Sequence, residues 1–232
     1  MTNLQIIQIA LRRVGLNTTS SVFKDSARDY LNMIAQDIAS REKWNWLFKS
    51  STFSTTNGTR TYSLASDVVA PLSFRNVTED HVMLIMSTQD VDAADPDASI
   101  NGDPRWVAID GVDSSGNVEV TLYPEPDGTD TIAYRYYSSI PTFTESEDSD
   151  SINPFVSAVC QPALIHGISA LYKQEKGDDQ GAVSDRQEME RVIAVASRQN
   201  MNVQGNRSYR MRRSDDHISG KFSFQPTEGS IG

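Results

Sequence analysis

The segment from Arg41 to Asp67 reads REKWNWLFKSSTFSTTNGTRTYSLASD, and its pattern changes from helical to extended within a few residues. Charged residues at its start continue a helical period, and alternating residues surround Asn57-Gly58. Asn-Gly is the strongest short signal for a two-residue hairpin turn, so the spacing predicts a hairpin with Phe53 opposite Tyr62. This segment therefore indicates a point where helices meet a sheet.

Two tryptophans, Trp44 and Trp46, stand one residue apart at this change of pattern. Large rings placed there can cover the end of a helical core and the root of a sheet at the same time. We therefore interpret the pair as a junction between bundle and sheet, packed in the core rather than serving as a ligand platform.

Two amphipathic helices are predicted before the junction. The first covers about residues 4–14, and Thr2 with Gln5 matches a capping box. The second covers about residues 22–43, with an apolar stripe on one side and charges on the other. An Asn/Thr/Ser loop joins them as a helical hairpin. Each helix has one apolar face that needs a partner.

Helical periodicity returns near the C-terminal end. Asn153-Pro154 is typical of a helix start and predicts a third helix that continues to about Lys176. Pro162 would remove a backbone hydrogen bond inside this helix, so a kink is expected there. A fourth helix is predicted over about residues 181–200, after the Gly177-Asp178-Asp179 break.

Between these helical segments the chain has the alternation typical of strands. After the predicted hairpin, further strands are expected at 81–86, 105–109, 117–123 and 131–137. Pro124, Pro126 and the Asp127-Gly128 pair separate the last two strands. The pattern predicts an antiparallel sheet with one solvated face.

The order helix, helix, strands, helix, helix predicts an α+β fold. The simplest way to bury four apolar stripes is one four-helix bundle made from the N-terminal and C-terminal helix pairs. We expect residues 1–46 with 152–204 to form the bundle, 47–151 an inserted antiparallel β domain, and 205–232 an extended C-terminal arm.

Composition limits the function. The 232 residues have a formal net charge of −10, with −12 in residues 1–204 and +2 in residues 205–232. An acidic body repels nucleic acid, although acidity can also serve solubility alone. The single Cys160 excludes an intramolecular disulfide, and no apolar run is long enough to predict a membrane span.

No motif for catalysis or for a cofactor is found. His81, His166 and His217 lie far apart and lack metal-ligand spacing, and no phosphate-binding glycine loop is present. The acidic stretches at 90–95 and 145–150 match calcium loops only superficially, so we interpret them as solvated loops. The sequence predicts no catalytic residue, no metal and no cofactor.

The last residues mix basic and aromatic side chains. We interpret them as a segment that orders when it docks on a protein; a tail that stays disordered is the second interpretation and a nucleic-acid site the third. The docking residues expected there are Arg207, Tyr209, Arg210, Arg212, Arg213, Lys221, Phe222 and Phe224.

The element order, the Trp44-Asn-Trp-Leu-Phe48 stretch leading into the Asn-Gly turn, and the phrases Leu122-Tyr-Pro-Glu-Pro126 and Tyr134-Arg-Tyr-Tyr137 carry a family resemblance. Over roughly residues 1–200, the chain resembles head-to-tail adaptor (connector) proteins of tailed bacteriophages, in the style of tail tubular protein A. These are structural virion proteins and not enzymes.

The resemblance implies a homo-oligomeric ring, a dodecamer, between the portal protein and a downstream tail or nozzle protein. It implies a channel that DNA crosses without specific binding during packaging retention and ejection, and an arm that grips the portal. It places the protein in the tail or neck of the virion, after synthesis in the host cytoplasm.

Two alternatives stay open. A receptor- or carbohydrate-binding tail module would display Trp106, Tyr123, Tyr136 and Tyr137 on an exposed sheet face. A hydrolase would use His166 with a nearby acid.

Overall fold

The computed structural model of the protein describes residues 1–152 and 156–205, with side chains up to Met201. The helices of this part are α1 (Asn3–Arg13), α2 (Ser21–Arg41), α3 (Thr88–Ala94), α4 (Gln161–Glu175) and α5 (Asp179–Gly205). The strands are β1 (Phe48–Ser54), β2 (Thr61–Ser63), β3 (Val68–Asn76), β4 (His81–Met86), β5 (Asn101–Gly102), β6 (Trp106–Val112), β7 (Val118–Tyr123), β8 (Glu125–Pro126) and β9 (Thr131–Ser138). The predicted α+β class is confirmed.

The two N-terminal helices agree with their sequence patterns. At α1 the Thr2 hydroxyl accepts from the Gln5 amide at 3.2 Å, and the Gln5 side chain accepts from the Thr2 amide at 3.0 Å. This is the predicted capping box. Helix α2 ends where Glu42 becomes extended, and its apolar stripe, which includes Leu31 and Ile38, is buried.

Helix α4 begins later than predicted. Residues 156–160 are not helical, and α4 starts at Gln161 after Cys160, so the expected helix start upstream is wrong. Asn153 and Pro154 themselves lie outside the described residues. The expected kink at Pro162 is also wrong, because Pro162 lies in the first turn, where backbone amides have no acceptor within the helix.

Helices α1, α2, α4 and α5 contribute to one apolar core, and α4 contacts each of the other three. Leu164 and Ile168 of α4 are fully buried. At Gly167 an added Cβ would lie 2.7 Å from Ile34 Cδ1 and 2.9 Å from Met189 Sδ, so glycine allows the close approach of α2 and α5 to α4.

Seven strands form one curled sheet in the order β1-β9-β3-β4-β6-β7-β2. Strands β1 and β2 lie at opposite ends of this order, although only residues 55–60 connect them. A flat sheet would separate them by six strand spacings, about 29 Å. Such a short connection reaches about 25 Å at most, even without the turn that it contains. The sheet therefore has to curl until its two edges come near each other.

The predicted hairpin is wrong. Strand β1 pairs with β9 and β2 pairs with β7, so the Asn57-Gly58 turn connects two edges of the sheet instead of two paired strands. The turn itself is present, with the Thr59 amide donating to the Thr56 carbonyl at 3.0 Å. Phe53 and Tyr62 do stack, with ring centroids 5.0 Å apart, and this contact closes the curl.

The sheet is mixed, which corrects the prediction of an antiparallel one. Strand β4 pairs with β6 in parallel, with Leu84 in register with Trp106. The short β5 and β8 are also parallel. A parallel pair needs a long crossover, and residues 87–105 supply it with α3 inside. The predicted strand at 81–86 is confirmed, and those at 105–109, 117–123 and 131–137 are correct within three residues.

Residues 139–152 return the chain from the sheet to the helices. Ile140, Phe143 and Ile152 enter the helical core. Arg28 of α2 binds Asp148 through two hydrogen bonds of 3.2 and 2.9 Å, and both side chains are largely buried. The prediction that stretch 145–150 is only a solvated loop is therefore wrong for Asp148, which fixes the return segment to α2.

The two tryptophans lie in the short turn between α2 and β1. Trp44 is fully buried, donates from Nε1 to the Ile38 carbonyl at 2.6 Å, and stacks on Trp46 with centroids 4.3 Å apart. Asn45 between them donates from its backbone amide to the Asn200 Oδ1 of α5 at 2.9 Å. Both indoles contact the helical core. Their predicted role in joining the helices to the sheet stays a prediction.

We expect Trp44→Ala to lower the free energy of unfolding by about 3–5 kcal/mol, because it removes a fully buried ring, its stack and its hydrogen bond. Trp46→Ala is expected to cost about 2–3 kcal/mol, since part of this ring is in solvent. Urea unfolding followed by circular dichroism measures both. Val82→Ala, at a side chain that is 68% exposed, is the control and should change the value by less than about 0.5 kcal/mol. A Trp44→Ala unfolding curve that overlays the parent's would show that this ring does not stabilise the core.

Candidate interaction surfaces

An apolar groove lies where the helices meet the sheet. Its volume is about 520 Å³, and it runs between the C-terminal end of α2 and the adjoining ends of β3 and β9. Ala39 and Leu47 line one side, and Ala70, Tyr137 and Ile140 line the other. These side chains make the groove a candidate surface for protein contact rather than for polar chemistry.

Strand β3 presents two apolar side chains beside this groove. Its register with β9 shifts between Val68 and Ala70 and again between Pro71 and Ser73. The residues at these irregularities, Val69 and Leu72, are 62% and 38% exposed. Bulges re-aim side chains that regular pairing would hold in a row. Here they leave two apolar groups in solvent, as expected of an interaction surface.

The four aromatic residues expected for a sugar- or receptor-binding face do not share one surface. Tyr136 is buried and donates to Asp67 at 2.9 Å. Burial and this carboxylate raise the pKa of Tyr136 to about 12, so the hydroxyl stays protonated. Tyr137 packs on the helical core, and Trp106 with Tyr123 forms a separate pair. The expectation of one exposed platform is therefore wrong for Tyr136.

Charge is segregated between the two parts of the chain. Residues 47–151 contain 18 Asp/Glu and 5 Lys/Arg, a net charge of −13. Residues 1–46 and 152–204 together contain 10 Asp/Glu and 11 Lys/Arg, a net charge of +1. Most of the acidity therefore belongs to the sheet and its loops, although four of the 18 carboxylates lie at 145–150 in the segment that returns to the helices. The helical part offers DNA neither strong attraction nor strong repulsion.

One buried carboxylate joins three helices. Asp185 of α5 lies 2.8 Å from Arg13 of α1, 2.8 Å from Lys173 Nζ and 3.1 Å from His166 Nδ1, both of α4. Its side chain is 5% exposed. Burial alone would raise the pKa of Asp185, but Lys173, His166 and Arg13 outweigh it and lower the pKa. This geometry is that of a structural ion cluster, with the carboxylate held in its charged form.

The ion cluster around Asp185 gives a structural role to His166, the residue on which a hydrolase would depend. Its Nδ1 faces Asp185, whose carboxylate is already paired with Arg13 and Lys173. Cys160 at the start of α4 is a poor nucleophile, since burial raises the pKa of its thiol to about 11. Within residues 1–152 and 156–205, no group of His, Cys, Asp and Glu could hold a metal ion.

The predicted docking residues, Arg207 to Arg213 and Lys221 to Phe224, lie outside the described residues. Asn200 donates from Nδ2 to the Lys43 carbonyl at 3.1 Å, so α5 is held against the turn between α2 and β1 five residues before Gly205. Asn200, Asn45 and Trp46 line a second pocket there, of about 400 Å³, whose lining shares no residue with the apolar groove. The sequence contained no signal for this groove, because α2, β3 and β9 are distant along the chain.

Comparison with protein-family models matches residues 1–213 to the SU10 adaptor protein family. No curated protein matches the chain. In the part of the chain that the structure describes, none of the helices is long and apolar enough to cross a membrane.

Asp185→Asn is expected to destabilise the fold by about 2–4 kcal/mol at neutral pH, because Lys173 and Arg13 lose their shared anion while Arg13 keeps some solvent. Since the pKa of Asp185 is lowered in the folded state, its contribution is complete above the ordinary aspartate pKa of about 4 and is lost as pH falls through the folded value. The difference between parent and variant in urea unfolding should therefore shrink below about pH 4.

The matched control is Asp29→Asn, at an exposed carboxylate on α2, which should give almost no difference at either pH. A difference for Asp185→Asn that stays constant through the acid range would show that the lost charge is not the cause.

Proposed function

Because the chain belongs to the SU10 adaptor protein family, whose members are structural proteins of phage virions, we propose that it forms a ring between the portal and the tail. The ring is a dodecamer, placed in the neck of the virion, and its central channel carries DNA during packaging retention and ejection. The family match over residues 1–213 is the observation that carries this proposal. A structural role agrees with the prediction that the chain is not an enzyme.

In this proposal the chain has three parts. Residues 1–46 with 152–204 form the four-helix bundle that lines the channel, in the manner of tail tubular protein A. Its net charge of +1 lets DNA pass without specific binding. Residues 47–151 form the inserted β domain, and their charge of −13 suits a downstream tail or nozzle protein with a basic surface.

Residues 205–232 form the arm that docks on the portal. They have a net charge of +2, and the docking residues are the arginines, Tyr209, Lys221 and the two phenylalanines named above. Binding by a segment that orders on docking fits a mixed basic and aromatic composition. The last described contact before the arm is Asn200 donating to the Lys43 carbonyl in the turn between α2 and β1.

The packing of the described residues supports a body that is independent of the arm. The helical core and the sheet core are both built from residues before 197, apart from the Asn200 contacts. Removing the arm should therefore leave both cores intact, so that a loss of binding can be attributed to the arm itself.

Deletion of residues 205–232 is expected to leave the melting temperature within a few degrees of the parent's and to abolish co-sedimentation with portal-containing particles. The matched variant keeps the full length and replaces Phe222 and Phe224 with serine, which should weaken attachment without changing the fold. Undiminished co-sedimentation of the deleted chain would contradict the role of the arm. An electron-microscopy image of assembled particles tests the ring and its position.

A further inference from the structure

The outer face of β9 and β3 presents an unpaired arginine. Along β9, Tyr134 and Tyr136 point into the sheet core, so Arg135 between them points outward. It is exposed, stands in register with Ser50 and Ser73, and has no ion pair among the described residues. A groove of about 660 Å³ runs along this face.

Apolar groups share the groove with Arg135. Val77 and Val82 line it and are 46% and 68% exposed. Arg75 also lines it and is paired with Asp80, which leaves Arg135 as the strongest candidate for an external anion. A cation beside exposed aliphatic side chains is the composition of a protein-binding surface. The partner must offer carboxylates next to apolar groups.

A different wall of the same sheet has that composition. The crossover at 88–103 contains five aspartates and no lysine or arginine. Asp95 is buried and Asp103 pairs with Arg105, so among the described residues its exposed, unpaired carboxylates are the other three, Asp90, Asp92 and Asp97. Asp90 and Asp92 on α3 are exposed, and α3 packs on β6. Strand β6 adds Ile109 and Val112, which are 38% and 66% exposed. This acidic wall complements the Arg135 face in both charge and apolar content.

The two surfaces cannot meet within one chain. Strand β9 is second in the seven-strand order and β6 is fifth, so three strand spacings, about 14 Å along the sheet, separate them. The paired strands hold this separation fixed. A second copy of the chain can bring its acidic wall to the Arg135 face of the first.

We propose that the Arg135 face of one copy binds the α3–β6 wall of the next copy. The contact joins two different surfaces, so it repeats head to tail and generates a ring when the rotation closes. This contact rests on the proposed function for its biological setting, and it adds to that function by assigning the surfaces through which subunits meet. The physical contact itself depends only on the described surfaces.

Exchange of charge tests this contact more sharply than salt, because salt also screens the repulsion between two acidic sheet regions. Arg135→Glu or Asp92→Lys alone places like charges together and should weaken self-association about tenfold. The double variant restores opposite charges and should regain most of the parent's association. An equimolar mixture of the two single variants should associate as well, through the exchanged pair.

Sedimentation equilibrium measures the self-association constants of the full-length chain, both alone and bound to portal particles. The controls Arg198→Glu and Asp29→Lys make the same charge changes on exposed helical positions and should associate like the parent. Circular dichroism melting verifies that each variant is folded. A variant that fails to fold is replaced by Arg135→Gln or Asp92→Asn, each expected to weaken association less strongly.

Single variants that associate like the parent, a double variant that stays weak, or association that stops at a dimer would each overturn the proposal. So would a parent chain that remains monomeric both alone and on particles. Deletion of residues 205–232 separates the two hypotheses: self-association should persist without portal attachment. If the charge variants self-associate like the parent while the chain still attaches to the portal, only the subunit contact is overturned.

Discussion

The pairing of the first strand with the last is the constraint on which the rest of the structure depends. Phe48, the first residue of β1, lies in register with Tyr137 near the end of β9, and their rings meet edge to face. Neighbouring strands lie about 5 Å apart, so the chain leaves the helices and returns to them at nearly the same place. An insertion of about a hundred residues therefore separates α2 from α4 along the chain without separating them in space.

Polar contacts then fix how the helices meet at that place. The Arg28 pair with Asp148 holds the return segment, Asn200 holds the Trp44-Asn45-Trp46 turn, and Asp185 joins three helices. Apolar burial supplies most of the free energy of folding but has little directional preference. The buried Asp185 carboxylate does have one, since an arrangement that separated it from Lys173 and Arg13 would leave its charge buried without a partner.

The segregation of charge gives the two parts of the molecule different physical roles. A nearly neutral helical part meets other charged surfaces at little electrostatic cost, whereas the acidic sheet attracts basic surfaces and repels acidic ones. On that acidic sheet, the exposed Arg135 has no ion pair among the described residues, and in the proposed contact the α3–β6 wall of the next copy supplies the carboxylates that meet it. A protein that repeats around an axis needs two such unlike surfaces on each copy.

The sequence by itself determined the helices, most strands and the α+β order. Capping at Thr2, apolar periods of 3.6 residues and alternation of two are local properties, so α1, α2, β4 and β7 were predictable within a few residues. Local signals failed wherever a partner was distant along the chain. The Asn57-Gly58 turn is real, yet in the curled sheet β1 pairs with β9 and β2 pairs with β7, instead of β1 with β2.

Tertiary structure also decided the parallel β4–β6 pair, the late start of α4 and the burial of Asp148 and Asp185. Tertiary structure likewise decided the candidate surfaces, because each combines residues from elements far apart in sequence. The physical reason is that the sequence records which charged and apolar groups are present. The contribution of each group to the free energy of folding depends on the neighbours that folding brings within a few ångströms.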